Sequence, residues 1–213
     1  MKRNVVRSIF LACLFLTKAN DLVSAATLNL PAIDRGWYSI AGQYDQGYKN
    51  YFVGDDRGVV PHSFLADYRN FFVFDLASVM LPIKSGVLAL EMPLAPSPQP
   101  NAGYGYVSSD PSETYELHDV ITSINNLVNG TGGVTAHADL GDGSIYGSRI
   151  FTAADNGKVI EIQLSALAIA DMNNSHSYFA VGGKLTTLDD LPNQEGIFAA
   201  TGSPKHITEL RLT

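Results

Sequence analysis

The chemistry-bearing residues gather first in Gly36–Phe52, G-W-Y-S-I-A-G-Q-Y-D-Q-G-Y-K-N-Y-F, which holds the sole tryptophan and four tyrosines. Sugar rings present C–H faces that stack on indole and phenol rings, so Trp37, Tyr38, Tyr44, Tyr48 and Tyr51 could form a ligand platform, with Asp45 and Asn50 as polar partners. The competing reading makes the same residues sheet core and cross-strand pairs, because strands favour aromatics whatever they bind. A second set is D-L-G-D-G, where Asp139, Asp142 and nearby carbonyls offer clustered oxygens of the kind calcium requires; Asp55 and Asp56 are a weaker pair. The spacing is not that of an EF-hand, acidic turns are common on solvated surfaces, and a metal held there would serve structure rather than catalysis. No other cofactor is expected.

The residues offer little to an enzyme. The histidines at 62, 118, 137, 176 and 206 lack the spacing that places two ligands on one helix turn. Ser144 lies in G-D-G-S-I-Y-G, but Asp142 stands where a nucleophile elbow needs glycine. Glu113 with Glu116 could supply the two carboxyls that glycoside cleavage needs, if a cleft lay between them; an acidic solvated face explains them equally.

Export is the function statement the sequence supports best. Lys2, Arg3 and Arg7, the apolar run Ile9–Leu16 and the small-residue exit Val23-Ser24-Ala25 form a secretory leader, with cleavage expected before Ala26. The apolar run is too short to span a bilayer, and no later stretch reaches membrane length. The only cysteine, Cys13, falls inside the leader, so residues 26–213 form a single cysteine-free domain that rests on its own core, placed in the periplasm or outside the cell. Removing the leader leaves ten basic against twenty acidic residues. That balance repels phosphate backbones and anionic lipids, and argues against nucleic acid as a partner. Asn129-Gly-Thr131 and Asn173-Asn-Ser175 match the N-glycosylation pattern; beside a bacterial-looking leader they read as helix-ending turns.

The elements that would position these groups are organised around Arg69–Leu76, R-N-F-F-V-F-D-L. Alternation puts Phe72, Phe74 and Leu76 on one side and Phe71 and Val73 on the other, so both faces are apolar and the segment belongs in the middle of a sheet. Further strands are expected at Ser85–Leu94, Glu113–Asp119, Ser148–Thr152, Val159–Leu164, Tyr178–Val181, Ile197–Ala200 and Ile207–Leu212. In Glu113–Asp119, Tyr115 and Leu117 point inward and Glu116 and His118 outward. Gly182-Gly183 reads as a hinge, 138–147 as loop, and the proline-rich 93–112, with Tyr104 and Tyr106, as a long functional or mobile connection. Two short helices are expected in the connections. One runs from an Asp119 cap through Val128 over a sandwich edge; the other runs from Ser165 to Met172, with Leu167, Ala168 and Met172 inward.

The succession R-N-F-F-V-F-D-L, I-K-S-G-V-L-A-L, T-Y-E-L-H-D-V, V-I-E-I-Q-L-S-A-L, F-A-V-G-G-K-L and L-R-L resembles a group of exported bacterial jelly-roll domains. The group includes carbohydrate-binding-module-like β-sandwiches of the DNRLRE kind and secreted proteins that often carry an exosortase sorting tail. The likeness spans Arg69 to Leu212, without that tail or the group's tryptophan-bearing middle segment. It implies a non-catalytic surface or matrix module. The expectation is therefore an all-β, two-sheet antiparallel β-sandwich of jelly-roll type that binds polysaccharide or a cell-surface glycan without entering the membrane. Its competitors are a glycan-active hydrolase on the same scaffold and a matrix or assembly protein.

Overall fold

A computed structural model describes residues 27–44, 49–55, 67–80, 82–94, 105–175, 177–189, 194–198 and 206–213. The leader, Asp45, Tyr48, Asp56 and Tyr104 lie outside these residues. Two antiparallel sheets form a β-sandwich. Strands β1 (Leu28–Pro31), β11 (Thr208–Leu212), β5 (Gly86–Glu91) and β8 (Val159–Gln163) make the smaller sheet, in that order. The larger runs β10 (Glu195–Ile197), β3 (Val53–Asp55), β4 (Tyr68–Asp75), β9 (Tyr178–Leu185), β6 (Glu113–Asp119) and β7 (Ile145–Phe151), with β2 (Asp34–Ser39) also paired to β4. From β4 onward the chain passes repeatedly between the two sheets.

The alternation in β4 decides the layering. Phe72, Phe74 and Leu76 join Leu88, Leu90, Ile160, Ile162, Leu210 and Leu212 in the core between the sheets. Phe71 and Val73 face the opposite way, into a second core with Tyr38, Leu127, Ala136, Leu140 and Ala180. Helices α1 (Ile124–Val128) and α2 (Gly133–Asp139) supply the far wall of that second core. They cover the outer face of the large sheet rather than its edge, which explains why a strand of a sandwich is apolar on both sides.

The helices also depart from expectation in their bounds. Ser123, not Asp119, caps α1, accepting from the Asn126 amide at 3.3 Å. Asp119 is occupied elsewhere: its Oδ1 accepts from the Ser144 amide at 2.5 Å. Helix α2 replaces the start of the expected loop, and its two buried side chains, Ala136 and His137, give no apolar stripe to read. Helix α3 (Ala166–Ser175) buries Ala168 and Met172 and packs Ile169 against the main core, while Leu167 points to solvent.

Gly182-Gly183 is no hinge; both residues lie inside β9. A Cβ on Gly182 would sit 2.6 Å from Leu140 Cα, and one on Gly183 would sit 1.9 Å from Tyr115 Oη. The pair is glycine because both faces of β9 are pressed at this point, one by the helical layer and one by the core.

Candidate functional site

Most of the aromatic stretch is structural. Tyr38 and Tyr51 are fully buried. The Tyr38 hydroxyl donates to the carbonyls of Asn126 and Leu127 at 2.9 and 2.8 Å, tying β2 to α1. Tyr51 donates to the Glu91 carbonyl at 2.8 Å, and the buried Arg35 guanidinium lies 4.8 Å above its ring. Burial pushes both phenols above their usual range. Half-buried Tyr44 packs on the second core and donates to the Val128 carbonyl. Tyr38 and Tyr51 thus have no ring face free for stacking, and Tyr44 sets one side of its ring against Phe71 at 6.4 Å.

Trp37 differs. Alternation along β2 turns it away from Tyr38, and it is half-buried with its centroid 4.9 Å from that of half-buried Tyr68, the two planes at 87°. Tyr68 in turn meets Phe52 edge-on at 5.5 Å. The result is an angled aromatic corner on the large sheet, formed where β2 pairs antiparallel with β4. The sequence singled out Trp37 but not Tyr68, whose nearness follows from strand register alone.

The acidic residues also sort differently from the sequence reading. Asp139, at the end of α2, accepts from the Ile121 and Thr122 amides ahead of α1, and exposed Asp142 accepts from the adjacent Gly143 amide. Glu113 and Glu116 are three apart in a strand and take opposite faces: Glu113 is fully buried, whereas Glu116 is half-buried and lies 3.3 Å from His118. His118 was expected to face solvent, but it is only 3% exposed.

Glu113 meets two carboxylates that spacing did not suggest. One oxygen each from Asp110, Glu113 and Glu195 lie within 4.8 Å of one another. The isolated bridge Val107↔Gly196 brings these segments together: Gly196 and Val107 exchange backbone hydrogen bonds of 2.6 and 2.9 Å, which set the 105–112 segment beside β10. Phe198 then buries its ring among Tyr51, Tyr115 and Phe151 and fixes the end of that segment in the core. Glu113 accepts from the Ser108 hydroxyl at 2.6 Å and from the Thr187 hydroxyl. The Tyr106 hydroxyl donates to the Asp110 carbonyl at 2.8 Å. Part of the expected long connection is thus packed, with Tyr106 in the core.

Glu195 is the strained member of this group. It is 2% exposed, its Oε2 accepts from the Asp189 amide at 3.1 Å, and its Oε1 has no hydrogen-bond partner. Directly across the β3–β10 pair stands Asp55, also buried. Burial, helped by a side-chain hydrogen bond with Asp189 and by the negative charge of Glu113 and Asp189, pushes the Glu195 carboxyl up to about 7. Two signals for this site were present in the sequence: Glu113 shares a strand face with Tyr115 and Leu117, and Glu195 shares one with Ile197.

A polar cleft of about 360 Å³ opens near β2, rimmed by Asp34, Arg35, Lys49, His206 and Glu209. Its charges are internally matched: Lys49 pairs with Asp34 at 2.6 Å, and Arg35 donates to the Lys49 and His206 carbonyls and to Thr208 Oγ1. No helix among the described residues is long and apolar enough to cross a membrane. Compared with models of known protein families and with curated proteins, the chain matches none.

Proposed function

We propose that this protein is a non-catalytic binding module that is exported and works in the periplasm or outside the cell, with polysaccharide or a cell-surface glycan as its ligand. The observation that carries this reading is the Trp37–Tyr68 corner. These two rings are half-buried and perpendicular, whereas Tyr38 and Tyr51 of the same stretch are fully buried. An angled pair of π faces offers the apolar side of a pyranose a stacking surface and leaves its hydroxyls to water or to neighbouring polar groups. The leader pattern supports export, and the likeness to exported jelly-roll modules is part of the same proposal.

Burial counts against the hydrolase alternative. Glu113 and Glu195 are close enough to act as a pair, but Glu113 is fully buried and Glu195 nearly so, whereas an acid/nucleophile pair must reach a glycosidic oxygen. The assembly reading draws on a separate feature: β7 ends the described large sheet and carries exposed Ile145 and Ile150.

Retention on insoluble cellulose, chitin and xylan tests the proposal. The wild type should be held on at least one of them, and Trp37→Ala or Tyr68→Ala should cut retention about tenfold or more with the circular dichroism unchanged. A tenfold loss corresponds to about 1.4 kcal/mol, the scale of one aromatic ring contact. Release of reducing ends, surviving Trp37→Ala but lost in Glu113→Gln, would replace the proposal with the hydrolase. Sugar-independent self-association, lost when Ile150 becomes Lys, would replace it with the assembly role.

A further inference from the structure

We propose that Asp110, Glu113 and Glu195 hold one divalent cation, calcium by its chemistry, which clasps the 105–112 segment, the start of β6 and strand β10 at one end of the sandwich.

Three observations carry this. The first is proximity: three carboxylates, two of them buried, each place an oxygen within 4.8 Å of the others. Among the described residues none of the three forms an ion pair with a lysine, arginine or histidine. Like charges brought together in a low-dielectric interior repel strongly unless a cation or a proton intervenes.

The second observation is Glu195 Oε1. It is buried and has no hydrogen-bond donor, although its partner oxygen is satisfied by the Asp189 amide. A buried carboxylate oxygen without a partner is costly, and a metal is the partner that carboxylate neighbours can share. Glu113, in contrast, has both oxygens oriented by the Ser108 and Thr187 hydroxyls, the kind of supporting contact that holds a ligand in place.

The third is the donor set. All-oxygen, all-carboxylate ligation selects a hard cation over zinc, copper or iron. Oxygens bound at about 2.3–2.6 Å lie up to about 5 Å apart across a metal, so three oxygens within 4.8 Å of one another can share one calcium ion; magnesium demands near-octahedral geometry and keeps several waters, which suits a buried carboxylate cluster less. The Asp139 and Asp142 carboxylates, which the sequence suggested for calcium, accept hydrogen bonds from backbone amides.

This site is independent of the glycan reading, since neither Trp37 nor Tyr68 belongs to it. The test uses the full chain, stripped with chelator and exchanged into metal-free buffer, then titrated with CaCl₂ by calorimetry and followed by thermal melting at constant ionic strength. Saturable binding of one Ca²⁺ per chain is expected. The melting temperature should rise by about 5 °C or more in excess metal, because a ligand that binds only the folded form stabilises it. Glu195→Gln should weaken calcium binding at least tenfold, and half-buried Asp110→Asn should do the same if the buried variant fails to fold. Asp142→Asn should bind as the wild type does, and Mg²⁺ at least tenfold more weakly than Ca²⁺. The proposal is overturned if the wild type binds no calcium, if Glu195→Gln or Asp110→Asn binds it undiminished, or if Mg²⁺ binds as tightly. In the first case a shared proton is what relieves the cluster.

Discussion

The Tyr115 hydroxyl donates a 2.7 Å hydrogen bond to Asn70 Oδ1 across the top of Gly183, joining β6 to β4 over the strand between them. Asn70 passes the link on through Nδ2 to the Tyr51 carbonyl at 2.8 Å, so a fully buried amide has both ends satisfied inside an apolar core. A buried polar network of this kind stabilises only while every member keeps its partner, and it fixes which strand sits where.

The bridge predicts a specific pattern of losses. Tyr115→Phe leaves Asn70 Oδ1 without its donor and should cost about 1–3 kcal/mol in urea unfolding. Gly183→Ala drives a methyl into the same hydroxyl and should cost about as much or more. The double variant should cost less than the sum, because removing the hydroxyl relieves part of the clash. Strict additivity would show that the two groups do not meet.

Both faces of β4 are predicted to be equally sensitive. Phe72→Ala empties a site between the sheets, and Phe71→Ala empties one under the helices; each ring is fully buried and each change should cost about 3–5 kcal/mol. A two-layer sandwich with a wet outer face would instead tolerate Phe71→Ala at small cost. Chemical denaturation of the two variants separates these outcomes.

Tyr38 predicts how the helical layer is held. Its hydroxyl is hydrogen-bonded to the α1 carbonyls of Asn126 and Leu127, so Tyr38→Phe should lose about 0.5–1.5 kcal/mol. Hydrogen exchange should quicken in residues 124–139 while β5 and β8 keep their protection. Uniform quickening through both sheets would contradict a separately held layer.

His118 predicts a pH dependence. Burial, reinforced by the Lys184 ammonium on β9, pushes its imidazole below the usual range, against the pull of the Glu116 carboxylate on its own strand and of the Asp142 backbone carbonyl. A lowered folded value means that the unfolded chain takes up the proton first. Stability from this group is therefore fully present above the unfolded value of about 6.5 and is lost as pH falls through the folded value. Melting curves from pH 7.5 to 5 should show His118→Gln declining less steeply than the wild type over that interval. A steeper decline in the variant would mean that the histidine is charged in the fold.

What the sequence disclosed was whatever local alternation governs. Phe71 to Phe74 announced a strand covered on both sides, and Ile160, Ile162 and Leu164 announced one covered on a single side; both readings stand in the structure. What it concealed depends on neighbours far away in the chain. Gly182-Gly183 looks like a turn until Leu140 and Tyr115 are set against its two faces. Tyr38 and Tyr51 look like a platform until α1 and the small sheet cover them. Asp110, Glu113 and Glu195 meet only because residue 107 bridges to residue 196, a pairing that no local pattern encodes. Helix α2 is too short, with too little apolar periodicity, to stand out from a loop.

The glycan reading rests on the rings of Trp37 and Tyr68, and because Trp37 is the only tryptophan in the chain its fluorescence reports on that corner alone. Titration of the protein with cello-, chito- and xylo-oligosaccharides should produce a saturable change in tryptophan emission with at least one of them, shifted to about tenfold or greater concentration in Tyr68→Ala. Emission unmoved by any of the three, from a protein that nonetheless binds the matching polysaccharide, would place the ligand elsewhere and contradict the assignment.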